Sequence, residues 1–389
     1  MGYKKYKATQ LFDGYRLSQE NKVLVTADDG RIEAIINEVD AGDDVQMMTG
    51  ILSPGLINSH CHLELSHLKD VIPPYTGLPE FLCSVVTKRG FDPAMIQQRI
   101  KEAEQEMYNN GIVAVGDICN TADAVPVKSK SKIRWQSFIE VLSLSDEKAD
   151  ENFAHYLSVL EKHLSGISVP SRSVLTPHAP YTISPKTFRL INEATAGRLI
   201  SIHNQEHPAE DELYKNGGGE YLRLFKIFGY EISPFAITGK SSLQSYLPFF
   251  NKKQKLLLVH NTCTTEEDLA FAENYAADQG IEISFCLCPN ANLYIENKLP
   301  PVEMFVSHNA AIVLGTDSYS SNWHLSIVKE IQTIKKNFPQ ISLETILQWA
   351  TINGAKMLDW QQDLGSFEKG KKPGICILSE DLESSVRIA

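Results

Sequence analysis

Eight short, almost continuously apolar runs lie between residues 55 and 317, and stretches with a helical pattern separate them. The runs are GLINSH (55–60), IVAVGDI (112–118), RWQSFIEVL (134–142), SVLTPH (173–178), RLISIH (198–203), KLLLVH (255–260), EISFCLC (282–288) and AIVLGTD (311–317). A strand that is covered on both faces is apolar along its length, and strands that alternate with helices form a parallel sheet. Eight such strands predict an α/β fold in which the sheet closes into a (β/α)8 TIM barrel.

The segments between these runs contain helix ends and one insertion. The dipeptides DP (92–93) and SP (184–185) are typical helix starts, and Thr264 with Glu267 forms a capping-box pattern. The step from His203 to His260 spans 57 residues, against an average of about 36 for each of the four strand-to-strand steps from His60 to His203. Its extra piece, NGGGEYLRLFKIFGYEIS (216–233), predicts an inserted helix and loop over the mouth of the barrel.

The two ends of the chain have a different pattern. YKATQLFDGY, KVLVTADDG and RIEAIINEV are short β-rich runs with Asp-Gly turns, and GSFEKGKKPGICILS (365–379) has the same character. We therefore expect residues 1–54 and 359–389 to form a small β-sandwich, and residues 55–358 to form the barrel domain.

Charge and composition limit the partners. The formal net charge of −11 disfavours nucleic acid, whose phosphates would be repelled. No apolar run approaches the ~18 residues of a membrane span and the start lacks a signal-peptide stretch, so the expected location is cytoplasmic, without membrane contact. The seven cysteines include no Cys-x-x-Cys pair, which argues against a disulfide framework. Lys128, Lys130 and Lys132 alternate with neutral residues, which predicts a solvated loop.

Six residues at or just beyond the ends of the predicted strands can bind a metal or carry a proton. In a parallel barrel the C-terminal strand ends open onto one face, so these residues converge there. Imidazole nitrogens with a carboxylate suit a divalent metal of the zinc type that keeps an open position for water. The six are His60, His62, His203, Glu206, His260 and Asp317.

A single histidine at a strand end is more often a satisfied core residue than a ligand, but four histidines and an aspartate at one face favour a site. His155 and His163 lie on a helical pattern and His308 precedes the last strand, so packing or surface roles are expected for them. The three histidines near the predicted mouth stay undecided: His67, His207 and His324.

Five segments resemble the amidohydrolase superfamily: SPGLINSHCHLELSH (53–67), TPHAPYTIS (176–184), SIHNQE (201–206), LVHNT (258–262) and GTDSYSSN (315–322). Within it they are similar to mononuclear, metal-dependent aminohydrolases that act on nucleoside-like or heteroaromatic amines. HCHLELS and GTDSYSSNWHLS most resemble aminodeoxyfutalosine deaminases, followed by methylthioadenosine, S-adenosylhomocysteine and guanine deaminases.

The resemblance implies a site and a reaction. One divalent metal ion per chain, zinc or alternatively iron, would activate a water that attacks the amine-bearing ring carbon of a small-molecule substrate. The binuclear branch uses a lysine on strand four, and SVLTPH contains none. The implied metal ligands are His60, His62, His203 and Asp317. The implied catalytic residues are Glu206, His260 and Asp317, and the implied substrate contacts are His178 and Glu64.

Several alternatives stay open at this stage. Glu206 could instead be the N-terminal carboxylate of a helix in EHPAEDE (206–212). The same metal site could hydrolyse a cyclic amide or a ring chloride, and an inactive barrel could serve as a scaffold or binding subunit. The sequence also leaves the oligomeric state open, a homo-oligomer included.

Overall fold

A computed structural model describes residues 2–18, 21–168, 170–230 and 233–389 of the chain. The first described segments form seven short strands in two small sheets. The strands are β1 (Tyr3–Lys7), β2 (Gln10–Phe12), β3 (Leu17–Ser18), β4 (Lys22–Ala27), β5 (Ile32–Asn37), β6 (Val45–Met47) and β7 (Ile51–Pro54). One of the two sheets has the order β5–β4–β1–β6.

The eight predicted apolar runs all contain strands. They are β8 (Leu56–Cys61), β9 (Ile112–Cys119), β10 (Arg134–Val141), β11 (Arg172–Pro177), β12 (Leu199–Asn204), β13 (Lys255–His260), β14 (Glu282–Leu287) and β15 (Ile312–Leu314). Neighbours from β8 to β11 and from β12 to β15 pair in parallel.

Backbone hydrogen bonds close these two half-sheets into a barrel. The His203 N–H donates to the carbonyl oxygen of His178 at 2.9 Å and joins the ends of β11 and β12. The N–H of Asp317, just after β15, donates to the carbonyl oxygen of His60 in β8 at 3.0 Å. The predicted TIM barrel is confirmed, and both seams run through residues that the sequence singled out.

Fourteen α-helices lie in the described part of the chain. They are α1 (Leu78–Lys88), α2 (Pro93–Asn109), α3 (Val125–Lys128), α4 (Ala149–Gly166), α5 (Pro185–Ala194), α6 (Pro208–Asn216), α7 (Tyr221–Ile227), α8 (Ser242–Tyr246), α9 (Glu266–Gln279), α10 (Pro289–Glu296), α11 (Val302–Ser307), α12 (Ile327–Asn337), α13 (Leu343–Gln348) and α14 (Gly354–Met357). Among the residues described, no helix has both the length and the apolar character that crossing a bilayer requires.

The helix starts follow the sequence closely, with one shift. The Asp92 carboxylate accepts from the backbone at the start of α2, and the Ser184 hydroxyl does so for α5. At α9 the capping box consists of Thr265 and Asp268, one residue later than the predicted Thr264 pair. Asp268 also accepts a hydrogen bond from Gln205 at 2.8 Å, and this tertiary contact fixes which threonine caps the helix.

The C-terminal segment returns to the N-terminal one. β16 (Ile375–Leu378) pairs antiparallel with β7 and with β17 (Ser385–Arg387), giving a mixed sheet of order β17–β16–β7–β2–β3. Only Gly55 separates β7 from β8, and a Cβ there would overlap Val113 and lie 2.7 Å from the carbonyl oxygen of Pro373. The two chain ends thus build a small β-structure beside the barrel, as predicted, while the domain boundaries at 54/55 and 358/359 stay a prediction.

Lys128 does not lie in a solvated loop, so that prediction is wrong for this residue. Its side chain is fully buried, and its ammonium lies 2.5 Å from the Asp117 carboxylate on β9. The neighbouring lysines, Lys130 and Lys132, are exposed as expected. The alternation of lysines with neutral residues could not reveal that a carboxylate on β9, Asp117, stabilises one of the three lysines in a buried position.

Candidate metal centre and active site

The predicted ligands meet at the mouth of the barrel, the opening at the C-terminal strand ends. His60 belongs to β8, His203 to β12 and His260 to β13, while His62 and Asp317 follow β8 and β15. His260 and Asp317 have φ values of 73° and 58°, in the left-handed region that non-glycine residues rarely adopt. Such strained backbone persists where the surroundings fix it, which is common at functional sites.

The ring nitrogens and one carboxylate oxygen converge on a single point. His62 Nε2 lies 3.2 Å from His203 Nε2, and Asp317 Oδ1 lies 3.3 Å from His62 Nε2. His60 Nε2 is 3.5 Å from the same carboxylate oxygen. Three imidazoles and a carboxylate are the donors that zinc-type metals take.

The buried side chain of His60 needs a polar partner. Among the described residues neither of its ring nitrogens has a hydrogen-bond partner, although the side chain is fully buried. Buried polar atoms without partners are rare because each one costs free energy. His60, His62 and His203 together form a compact group able to hold a metal ion, so the residues present fit a divalent metal.

Neighbouring groups orient these side chains. His203 Nδ1 lies 2.8 Å from the carbonyl oxygen of His178, which can only accept, so Nδ1 carries the proton and Nε2 is left for a metal. The Ser321 hydroxyl donates to Asp317 Oδ2 at 2.5 Å and leaves Oδ1 directed at the histidines. Nothing in the sequence indicated this role for Ser321.

The protonation states suit metal binding, which needs neutral imidazole and ionised carboxylate. Burial lowers the pKa of His60 and of His203, and it lowers the pKa of His260 to about 3. Burial alone would raise the pKa of Asp317. The close approach of His60 and the other neighbouring histidines nevertheless holds the pKa of Asp317 well below its ordinary value.

Glu206 lies next to the metal group, and its pKa is shifted in the direction opposite to that of Asp317. Its Oε2 is 3.5 Å from His260 Nε2, and burial together with the charge of Asp317 raises the pKa of Glu206 well above its ordinary value. The helix that follows is capped by His207, whose Nδ1 accepts from the N–H of Ala209 at 3.1 Å. Glu206 therefore lies before the helix, and the alternative interpretation as a helix N-terminal carboxylate is not needed.

A cavity of about 840 Å³ opens above these residues. Its inner part is polar, and α1 and α7 supply an apolar outer part, so α7 is the inserted helix that the sequence predicted over the mouth. The polar lining includes His62, Asn120, Glu140, His178, His203, Glu206, His260 and Asp317. The apolar lining includes Leu78, Phe81, Leu82, Val85, Leu224 and Phe228.

The two predicted substrate contacts differ in placement. His178 lines the cavity, as expected. Glu64 is not among the lining residues, and its Oε2 accepts from the backbone N–H groups of Asn120 and Thr121, each at 3.0 Å. The predicted substrate contact of Glu64 is therefore corrected to support of the wall behind Asn120, because the turn after β8 directs this carboxylate toward the end of β9.

Glu140 is a residue of the cavity lining that was not predicted from the sequence. It belongs to β10, is 3% exposed and faces the cavity beside His178 and His203. A signal was present, because a glutamate near the end of the run RWQSFIEVL is out of place in a strand that is predicted to be buried on both faces.

Comparison with known proteins agrees with this geometry. The sequence pattern of the amidohydrolase family matches residues 51–387. The chain is 24% identical over 320 residues to the aminodeoxyfutalosine deaminase of Deinococcus radiodurans, covering 79% of this chain and 73% of that protein. It is 26% identical over 351 residues to the 5-methylthioadenosine/S-adenosylhomocysteine deaminase of Moorella thermoacetica, covering 87% and 74%.

Solved structures show the same fold. The aminofutalosine deaminase of Helicobacter pylori, in complex with methylthio-coformycin, superimposes with a TM-score of 0.80 at 21% identity, covering 99% of this chain and 100% of that one. The zinc complex of atrazine chlorohydrolase from Arthrobacter aurescens gives 0.72 at 18%, covering 96% and 86%. The family pattern runs from β7 to β17 and so includes every strand that carries the histidine set. On this ground the chain belongs to the amidohydrolase family and is a hydrolase that acts on carbon–nitrogen bonds other than peptide bonds.

Proposed function

We propose that this chain is a metal-dependent hydrolytic deaminase of an aminated purine nucleoside, with aminodeoxyfutalosine as the first choice. The observation that carries the proposal is the buried Glu206 carboxyl, 3.5 Å from His260 and beside a histidine set suited to a metal. The sequence similarity of the chain to two deaminases of purine nucleosides supports this proposal.

Four residues would hold one metal ion per chain, with zinc as the first choice and iron as the alternative: His60, His62, His203 and Asp317. When bound, such an ion lowers the pKa of a bound water from about 15.7 toward 7 and so supplies hydroxide at neutral pH. The cavity next to this site would bind a small-molecule substrate. The expected location of the protein stays the cytoplasm.

The protein's own groups would move the protons. Hydrolytic deamination adds water at the amine-bearing carbon and releases ammonia, so protons must leave the water and reach the ring nitrogen and the amine. Asp317 is ionised and His260 is neutral, so this pair can orient the water and accept its proton. Burial raises the pKa of Glu206 well above its ordinary value, so this carboxyl group can deliver a proton to the ring nitrogen, take up the remaining proton of the added water and pass it to the amine, which leaves as ammonia.

A second candidate reaction would use the same site but break a different bond of the substrate. The alternative is hydrolysis of a cyclic amide or of a ring chloride, and atrazine chlorohydrolase shares the fold that such a reaction would use. Release of ammonia separates deamination from both. A non-catalytic scaffold role is disfavoured because all four metal donors converge.

The test is a screen of the zinc-loaded protein for ammonia release. Its substrates are aminodeoxyfutalosine, methylthioadenosine, S-adenosylhomocysteine and guanine, and a cyclic amide and a ring chloride serve as comparison compounds. We expect ammonia from the nucleosides, with aminodeoxyfutalosine fastest. Turnover of the comparison compounds alone would contradict the deaminase proposal.

A further inference from the structure

Glu140 is a buried carboxylate for which the proposed reaction has no use. It is 3% exposed at the end of β10, and it lines the cavity. Its Oε2 accepts a hydrogen bond from the Asn120 side-chain amide at 2.7 Å. Within the described residues no lysine or arginine nitrogen lies within 4.0 Å of its carboxyl oxygens.

The second oxygen of Glu140 lacks a donor. Among the described residues Oε1 has no hydrogen-bond partner, and its nearest polar neighbours are His203 Nδ1 at 3.6 Å and His178 Nε2 at 3.9 Å. The proton on His203 Nδ1 already goes to the carbonyl oxygen of His178. A buried acceptor without a donor costs free energy, so the contents of the cavity must supply one.

A purine nucleoside has two kinds of donor, the ring amine and the sugar hydroxyls. The amine must lie at the metal set, which is on the Nε2 edge of His203. Glu140 instead faces the Nδ1 edge of the same ring. The donor for Glu140 is therefore displaced from the reacting carbon but close to it, which fits the sugar attached to the base better than a group at the end of a 5′ substituent.

We infer that Glu140 is a specificity-determining residue that accepts a hydrogen bond from a sugar hydroxyl of the substrate. The inference rests on the proposed function and adds the group that is recognised. Glu140 thereby favours ribonucleosides over their 2′- or 3′-deoxy analogues, because a missing hydroxyl leaves the carboxylate unpaired.

The experiment compares adenosine, 2′-deoxyadenosine and 3′-deoxyadenosine as substrates for the zinc-loaded wild type and for Glu140→Ala, by the rate of ammonia release. For the wild type we expect kcat/KM to be about 10- to 100-fold lower on at least one deoxy analogue, the usual range for a hydrogen bond to a charged group. In Glu140→Ala the ratio should fall to about one, because only adenosine loses a contact.

Two further variants keep the test decisive. Glu140→Gln retains the size of the side chain but has a neutral acceptor, so the ratio should shrink even if the alanine variant folds poorly. Glu161→Gln, the same change at an exposed site on α4, should keep the wild-type ratio. Zinc content should match the wild type in all variants, which separates loss of recognition from loss of metal.

Equal wild-type efficiency on all three nucleosides would overturn the inference. So would an equal loss on all three in Glu140→Ala, because Glu140 would then act through His178 and His203. If the wild type released no ammonia from these three nucleosides, nor from methylthioadenosine or aminodeoxyfutalosine, the proposed function itself would be overturned, and the inference with it.

Discussion

Two carboxyl groups in the same cavity have pKa values that are shifted in opposite directions. Asp317 accepts from Ser321 and faces three histidines, which hold its pKa low, whereas burial raises the pKa of Glu206. A pair whose environments separate the two pKa values in this way indicates which group accepts and which donates a proton. The division of roles can therefore be tested one residue at a time.

Glu206→Gln should retain zinc but lose turnover by about 10²- to 10⁴-fold, the usual contribution of a general acid–base group. The amide keeps the shape of the side chain but cannot deliver the proton. Zinc content and ammonia release should be measured on the same preparation. Loss of zinc in this variant would show instead that Glu206 supports the metal.

His60→Ala and Asp317→Ala should each lose bound zinc and activity, because each removes a donor that faces the proposed metal position. His155→Ala removes an exposed histidine on α4 and should behave like the wild type. Metal analysis of the purified proteins checks this and should give one ion per wild-type chain. Two tightly bound ions per chain would rule out the mononuclear site.

At the scale of residues, the sequence predicted those side chains whose role follows from the residue type together with its position at the end of a strand. The histidines and Asp317 stand at strand ends, so the barrel alone brings them into one place. Ser321 and Glu140 act through contacts with other strands and loops, which a linear pattern does not contain. Glu64 illustrates the converse, since the path of its turn, and not its position in the sequence, decides where the carboxylate lies.

At the scale of elements, a buried ion pair connects β8, β9 and α3. Asp117 on β9 accepts from the N–H of Leu63, the residue after His62, at 2.7 Å and also holds the Lys128 ammonium. Burial alone would lower the pKa of Lys128, but the Asp117 carboxylate raises it above its ordinary value. The ammonium therefore stays charged inside the protein and neutralises the carboxylate that fixes the turn after β8.

Lys128→Met should lower the free energy of unfolding by about 3–5 kcal/mol, because it leaves the Asp117 carboxylate buried without its partner. Lys130→Met, two residues later and exposed, should change it by less than about 0.5 kcal/mol. Urea unfolding of both variants measures the difference. The double variant with Asp117→Asn should recover part of the loss, and similar effects of the two lysine changes would contradict the pair's role.

Elements were predicted well in number and kind, and less well at their ends. The eight strands follow from apolar runs that need burial on both faces. The start of α9 is set by hydrogen bonds that the Asp268 carboxylate accepts from Thr265 and from two residues outside the helix, Gln205 and Ser241. Neighbouring threonines have the same intrinsic preference for a cap, so the choice between Thr264 and Thr265 depends on those contacts.

At the scale of the whole molecule, the cavity connects its polar inner part, at the metal site, to an apolar outer part. Leu82 and Val85 of α1 face the cavity together with Leu224 of α7, and the two helices are linked by an ion pair of 2.7 Å between Arg223 and Glu80. A substrate that reaches from the metal site to this outer part must carry a group beyond its ring. Contacts with such a remote group can position the reacting carbon.

Free adenine should therefore be deaminated much more slowly than a 6-aminopurine nucleoside with a 5′ substituent. Both kcat and kcat/KM should fall, since the lost contacts position the ring as well as bind it. Steady-state kinetics on adenine, methylthioadenosine and aminodeoxyfutalosine measure the effect. If a bare base, guanine included, had the highest kcat/KM, the nucleoside assignment would be wrong while the deaminase assignment survived.

The pairing of β7 with β16 has a consequence for the order in which the molecule is completed. β7 continues through a single glycine into β8, which carries His60, but its partner β16 lies near the C-terminus. During synthesis the first barrel strand emerges early, and its extension β7 can pair with β2 at once, but β7 lacks its second neighbour until nearly the whole chain has left the ribosome. Premature termination before Ile375 thus leaves the strand that leads to His60 paired on one edge only.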